Sequence, residues 1–269
     1  MYKLLALDLD GTLLRGDSTI SYITKEALKK AQSYGVKVVI ATGRPLQGIM
    51  NYIEELDLIG EDEYVLAYNG SSVYNTITLT PIIRNGLTGE EVKEIYRLSK
   101  KLGVEFHGFT DEECIATREN KYTDAERTHN KVPISLIDFD NDLKDDDFII
   151  KVMMMEEESI LNNVIDKIPN EFFEKYHIVR STSFMLEFMN KNCSKSSGLN
   201  ALANHLGIGK DEIVACGDAE NDIDMIEFAG LGVAMENAND LVKSKADYIT
   251  LSNENDGIAD MINKKILNY

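Results

Sequence analysis

Apolar runs with no polar face alternate with runs of helical period along the first third of this chain. Lys3–Leu9 reads as a buried strand, because Leu4, Leu5, Ala6, Leu7 and Leu9 are apolar without a period-2 polar side. Thr24–Tyr34 follows as an amphipathic helix, with Thr24 placed to cap it and Gly35 to end it in a left-handed turn. Val36–Ala41 is a second buried strand, and Pro45 opens a helix that continues to Leu56. Tyr64–Ala67 is a third strand, turning at Asn69-Gly70 into a hairpin partner within Val73–Leu79. Strand, helix, strand, helix, strand predicts a doubly wound α/β parallel sheet.

The texture changes after Thr80-Pro81. Gly89–Leu102 is helical, Val104–Phe109 and Glu113–Thr117 are short strands, and residues 118–147 are polar and weakly patterned. Phe148–Met155 is an apolar strand, with Met153, Met154 and Met155 read as core, and Glu156–Ile168 is a helix ended by Pro169. Tyr176–Arg180 and Phe184–Met189 are two further strands. Neighbouring strand pairs between helices predict an α+β module with an antiparallel sheet, inserted at residues 85–187. Doubly wound texture then returns: helix Ser196–Leu206, strand Glu212–Cys216, helix Asn221–Phe228, strand Leu231–Ala234, helix Ala238–Ser244, strand Ala246–Thr250 and a last helix from Gly257. The core domain is therefore discontinuous, residues 1–84 and 188–269.

Composition narrows the function classes. A chain of 269 residues, 43% hydrophobic and 28% charged, is ordinary for a globular protein. Its net charge of −18 argues against a sequence-independent grip on nucleic acid or on an anionic membrane face. Cys114, Cys193 and Cys216 are far apart and in no CxxC pair, which fits reduced thiols and a cytoplasmic protein. There is no basic n-region with an apolar stretch behind it, and no apolar run reaches ~18 residues. The run Asp138–Asp147 lacks the glycine and final glutamate of an EF-hand loop and reads as solvated. His107, His129, His177 and His205 form no metal-like pair.

The chemical candidates gather at one edge. Asp8 and Asp10, followed by Gly11 and Thr12, end the first strand, either as a turn or as two carboxylates converging on one ion. Thr42 and Asp218, the latter with Asn221 and Asp222, follow the carboxyl ends of two other parallel strands, where open α/β sheets bind ligands. Aspartates without nearby His or Cys favour a hard cation, and Mg²⁺ fits best. Lys195, just ahead of the Ser196 helix, can supply positive charge, and Thr42 opens a loop suited to a phosphoryl oxygen. Asn237 and Asn239 either line the site edge or cap a helix, and capping is the expected role.

DLDGT (Asp8–Thr12), ATGR (Ala41–Arg44), Lys195 and GDAEND (Gly217–Asp222) together resemble the four motifs of the haloacid dehalogenase superfamily. The insert resembles its class IIB cap, and the ending ADYIT–NENDGIA resembles the Cof-type sugar-phosphate phosphatases. The resemblance implies that Asp8 is the nucleophile that takes the phosphoryl group and Asp10 the general acid and base. It implies that Thr42, Gly43, Lys195, Gly11 and Thr12 hold the substrate phosphate, with Arg44 reaching substrate or pairing with a core carboxylate. Asp8, Asp10 and Asp218 would hold Mg²⁺, with Asn221 and Asp222 in support. The expectation is an Mg²⁺-dependent phosphatase of small phosphorylated metabolites, monomeric or weakly dimeric, whose cap closes over the leaving group and selects it. A phosphoryl-transferring mutase and a non-catalytic phosphometabolite-binding protein are the alternatives.

Overall fold

In a computed structural model of the chain, which describes residues 1–267, the first apolar run becomes the strand Leu4–Leu7, fully buried along its length. It lies inside an eight-stranded sheet, flanked in parallel by Lys37–Ala41 and by Ile213–Gly217. Outward on one side come Tyr64–Ala67, the antiparallel Ser72–Asn75 and then Pro81–Arg84; on the other come Leu231–Ala234 and Tyr248–Ile249. Apolar residues on both faces of the central strands are what a sheet covered by helices on both sides requires. Leu199, Leu202 and Met225 from the helices Lys195–Leu206 and Ile223–Phe228 pack on Leu4, Ala6, Val39, Leu66 and Ala215 on one of those faces.

The chain builds outward from Leu4–Leu7 in one direction and returns later on its other side. The carboxyl ends of Leu4–Leu7 and Ile213–Gly217 therefore flank a point where strand order reverses. Asp8 and Asp218 are the residues that immediately follow these two strands.

Element ends differ from the sequence reading where side-chain caps decide them. The first helix is Tyr22–Ser33, capped by Ser21, whose hydroxyl accepts the Thr24 N–H at 3.0 Å. Thr24 is thus a donor inside the helix and not its cap. The single helix expected after Pro45 is a 3₁₀ turn, Leu46–Gly48, followed by a short α-helix, Met50–Glu55. Gly89–Leu102 has the expected bounds, fixed by a Thr88/Glu91 capping box and by Gly103 in the left-handed region. Asn239 caps the helix Asp240–Lys245 as expected, whereas Asn237 lies at the site edge, its amide donating to the Gly11 carbonyl at 2.8 Å and its Oδ1 accepting the Asn253 N–H at 3.1 Å.

Two compact units result. The first comprises Met1–Thr42, Tyr52–Ile83 and the chain from Ser194 on. The second comprises Arg84–Cys193 together with Gly43–Asn51, a wider span than the 85–187 expected from sequence. Its sheet has the order Tyr176–Thr182, Met185–Asn190, Lys151–Met155, Glu105–Phe109, Cys114–Ala116, Ile134–Leu136, antiparallel except for the last pair. One face carries Phe106, Ile115, Val152, Met154, Leu186 and Phe188 into a core closed by Val92, Ile95, Leu161 and Phe172 from three helices. The stretch 118–147, read as polar and weakly patterned, holds a helix, Lys121–Ala125, and the edge strand Ile134–Leu136. Asn120 starts that helix by accepting the N–H groups of Tyr122 and Thr123, a local polar device that leaves no apolar period to read.

Candidate active site

Asp8 follows the last residue of its strand and is 6% exposed, its N–H donating to the Cys216 carbonyl at 3.0 Å. The backbone then folds on itself, with Leu13 N–H donating to the Asp8 carbonyl and Leu14 N–H to that of Leu9. Gly11 makes the turn at φ +82°, and its bare backbone lies against Asp218: a Cβ there would stand 2.4 Å from Oδ2. Thr12, buried beside it, donates its hydroxyl to Asp218 Oδ1 at 2.7 Å. Asp10, in contrast to Asp8, is exposed.

Lys195 is the first residue of its helix, behind the Ser194 cap, and its side chain is fully buried. Gly70 makes this placement possible, since a Cβ on it would lie 2.2 Å from the Ser194 carbonyl oxygen. Nζ lies 2.6 Å from Asp8 Oδ1 and 2.6 Å from Asp222 Oδ1. Asp222 spends its other oxygen on the N–H groups of Asp218 and Ala219, both at 3.0 Å. Its work is to fix the turn that carries Asp218 and to hold the lysine. Asn221 donates to Asn69 Oδ1 at 3.1 Å, giving the Asn69-Gly70 turn a part in the site that the sequence reading did not assign.

Asp8, Asp218 and Asp222 each offer a carboxylate oxygen, and the three lie within 4.8 Å of one another. Three acids share one lysine. Burial, then the Asp222 charge, push the Asp8 carboxyl well above its ordinary range, with Lys195 pulling the other way. Burial also raises Asp218, to about 6, against the Thr12 hydrogen bond. Burial alone would lower the Lys195 ammonium, but Asp222 and Asp8 overcome it and hold it above the ordinary lysine value. Acids so placed are costly unless a cation joins them. An all-oxygen donor set with a surplus of negative charge, closed against a glycine backbone, fits a hard divalent ion.

Thr42 is buried, its N–H donating to the Leu66 carbonyl and its own carbonyl accepting the Asn69 N–H. Gly43 and Arg44 belong to the second unit, where Arg44 Nη1 donates to the Gly48 carbonyl at 3.3 Å. The C-terminal stretch binds the Asp8 loop from behind. Asn253 donates to the Leu14 carbonyl, the Gly16 N–H donates to Glu254, and Arg15 pairs with Asp256 at 2.8 Å. These ties explain why NENDG stands where it does.

The profile of the haloacid dehalogenase-like hydrolases matches residues 5–262, and the chain belongs to that family, in its Cof-type branch. A Streptococcus pyogenes protein named only as a candidate phosphatase is 40% identical over 99% of both chains. A Bacillus subtilis 5-amino-6-(5-phospho-D-ribitylamino)uracil phosphatase is 32% identical over 98% of this chain and 96% of its own. A solved sugar phosphatase of subclass IIB superposes with a TM-score of 0.82 at 27% identity, over 99% of this chain and all of the other. The protein is a phosphatase, with an α/β core and a cap domain. No helix among the described residues is long and apolar enough to cross a membrane.

Proposed function

We propose that the protein hydrolyses phosphate monoesters of sugars or related small metabolites, by way of an aspartyl-phosphate on Asp8 and with Mg²⁺ bound. The observation that carries the reading is the charge count: buried Asp8 and Asp222 and half-buried Asp218 converge, and Lys195 answers only part of it. The side chains of Asp8 and Asp218, with the Asp10 backbone carbonyl, would hold the metal. Bound there, Mg²⁺ neutralises charge on the transferring phosphoryl group and on the acids.

In the first step an Asp8 carboxylate oxygen bonds to phosphorus as the ester oxygen leaves, taking a proton from Asp10. In the second, Asp10 takes a proton from water, whose oxygen bonds to phosphorus while the Asp8 acyl phosphate breaks. Lys195, Thr42 and the N–H groups of Gly43, Gly11 and Thr12 receive the phosphoryl oxygens. The substrate class rests on names: one relative acts on a phosphorylated ribityl compound and one structural neighbour is a sugar phosphatase.

The test is phosphate release from p-nitrophenyl phosphate with Mg²⁺ or EDTA, by the wild type and Asp8→Asn. Release that needs Mg²⁺ and disappears in the variant supports the mechanism. Release that persists in Asp8→Asn sinks it.

A further inference from the structure

Asn237 has no part in the mechanism above, yet its side chain reaches the loop on which that mechanism turns. Its strand, Leu231–Ala234, lies beside Ile213–Gly217, and the turn beyond is seated by the Met235 N–H on the Gly217 carbonyl at 3.0 Å. That turn brings Asn237 to the loop following Leu4–Leu7, all within the first compact unit. Asn237 is exposed, but both ends of its amide are used. Nδ2 donates to the Gly11 carbonyl at 2.8 Å, and Oδ1 accepts the Asn253 N–H at 3.1 Å. A carbonyl needs the nitrogen end and an N–H needs the oxygen, so these partners leave the amide one orientation. Asn253 also donates its own side chain to the Leu14 carbonyl at 2.8 Å, at the far end of the same loop. Exposed bonds of this kind add little to stability, because water competes for both ends. What this one supplies is direction.

The Gly11 carbonyl and the Thr12 N–H belong to one peptide plane, and across a trans peptide they point opposite ways. Holding the oxygen therefore sets where the N–H aims. Among the described residues no other hydrogen bond does so: Asn237 is the partner of that oxygen, and the Thr12 N–H donates to nothing. The Leu13 N–H on the Asp8 carbonyl holds the following plane, and the Thr12 hydroxyl on Asp218 acts beyond Cα. Thr12 is β-branched and resists the positive φ that would turn the plane over, but Gly11, at φ +82°, offers little resistance to its tilt. Thr12 is 1% exposed, and a buried N–H without an acceptor is costly until a ligand supplies one.

We propose that Asn237 is a positioning residue, which aims the Thr12 N–H at a phosphoryl oxygen by holding the Gly11 carbonyl, while Asn253 steadies the amide from behind. The proposal rests on the phosphoryl-binding role given above to Thr12.

The test compares Asn237→Asp, Asn237→Ala and Asn253→Ala in the full chain. Asn237→Asp keeps an oxygen for the Asn253 N–H and loses the donor to Gly11. Asn253→Ala frees the Leu14 carbonyl and keeps that donor in place, because Asn253 meets Asn237 through its backbone. Both Asn237 variants should lose about ten-fold in kcat on p-nitrophenyl phosphate with Mg²⁺, with KM little changed. The loss is smaller than the ~100-fold or more for deleting an oxyanion donor, because the N–H is misaimed and not removed. Inhibition by orthovanadate, whose five-coordinate adduct resembles the transferring phosphoryl group, should weaken by the same factor. Asn253→Ala should lose far less. The Gly11 carbonyl and Thr12 amide resonances are followed as inorganic phosphate is added with Mg²⁺. Both Asn237 variants should displace the Gly11 resonance and shrink the shift that phosphate induces at Thr12. Wild-type kcat in Asn237→Asp, an equal loss in Asn253→Ala, or unmoved Gly11 and Thr12 resonances overturns the proposal. An inactive wild type fails the function reading instead, and the response of the Thr12 amide to phosphate, with and without Asn237, then decides this one.

Discussion

Two buried lysines, one in each unit, use the same ammonium–carboxylate contact for opposite ends. Lys195 touches two aspartates, Asp8 and Asp222, with Asp218 close by, so its surroundings keep a surplus of negative charge. Lys151 touches one carboxylate, Glu187, and one backbone carbonyl; the buried Glu126 also acts on it, but burial pushes that carboxyl up and Asn130 holds it, so the charge here is closer to balance. An unbalanced buried cluster has to recruit something, either a cation or a proton, and that is a condition for chemistry. A balanced one recruits nothing and can only hold. Charge count, more than burial or distance, separates the reacting lysine from the fastening one.

The sharpest way to break this contrast is to remove each lysine. Lys195→Met should lower kcat by about 10³-fold, the scale for losing a preorganised charge at the transferring group. Turnover of p-nitrophenyl phosphate within ten-fold of the wild type would deny Lys195 its separate role. Lys151→Met alone should cost about 3–5 kcal/mol of stability, because the buried Glu187 loses its ammonium, whereas adding Glu187→Leu should recover most of it. Urea unfolding of the single and double variants measures both. Equal stability of the two would mean that the pair is not electrostatically closed.

A smaller effect comes from pH, and one buried or half-buried group in each unit, His107 and Asp218, should respond with opposite sign. His107 lies on the same sheet face as Lys151, opposite Met153, fully buried. Burial drives its imidazole down to about 4 from 6.5, with Glu105 opposing. The unfolded chain therefore binds a proton more readily between pH 6.5 and 4, and stability is lost as pH falls through that window, by about 3 kcal/mol at its foot. His107→Gln should flatten the loss in urea titrations at pH 6.5 and 4.5. Metal-free Asp218 works the other way: with its carboxyl raised to about 6 from 3.8, the folded state binds the proton more tightly and gains as pH falls toward 3.8.

The same contrast explains what the sequence disclosed. Asp8, Lys195 and Asp218 were legible because each follows a strand end or opens a helix, positions that expose a polar residue at one sheet edge. Lys151 and Glu187 sit mid-strand in FIIKVMMM and FMLEFMN; both runs read as strands, the first with Met153, Met154 and Met155 in the core, and those three are buried. The signal available was one cation and one anion, each alone in an apolar strand. The seating of Gly43–Asn51 left no trace in local pattern, because the contacts that hold it come from residues 111, 130 and 151. Excising 85–187 would therefore strip that segment of its seat as well as remove the insert.

The smallest expected effect bears on the unbalanced side directly. If the surplus of acid at Asp8 and Asp218 is what recruits Mg²⁺, the ion should stabilise the folded chain, by about 2.7 kcal/mol at a hundred times its Kd. Binding requires Asp218 without its proton, and that proton is held up to a pH of about 6. The melting temperature gained on adding Mg²⁺ should accordingly be full at pH 7.5, fall as pH drops through 6, and be mostly gone at pH 5. Asp218→Asn, which has no proton to lose and one charge fewer, should show little gain at either pH. In Lys151→Met/Glu187→Leu the gain and its pH dependence should match the wild type, since the balanced cluster has no share in the ion. An Mg²⁺ gain that is equal at pH 5 and 7.5, or that disappears with the Lys151 pair, would show that charge surplus is not what distinguishes the two lysines.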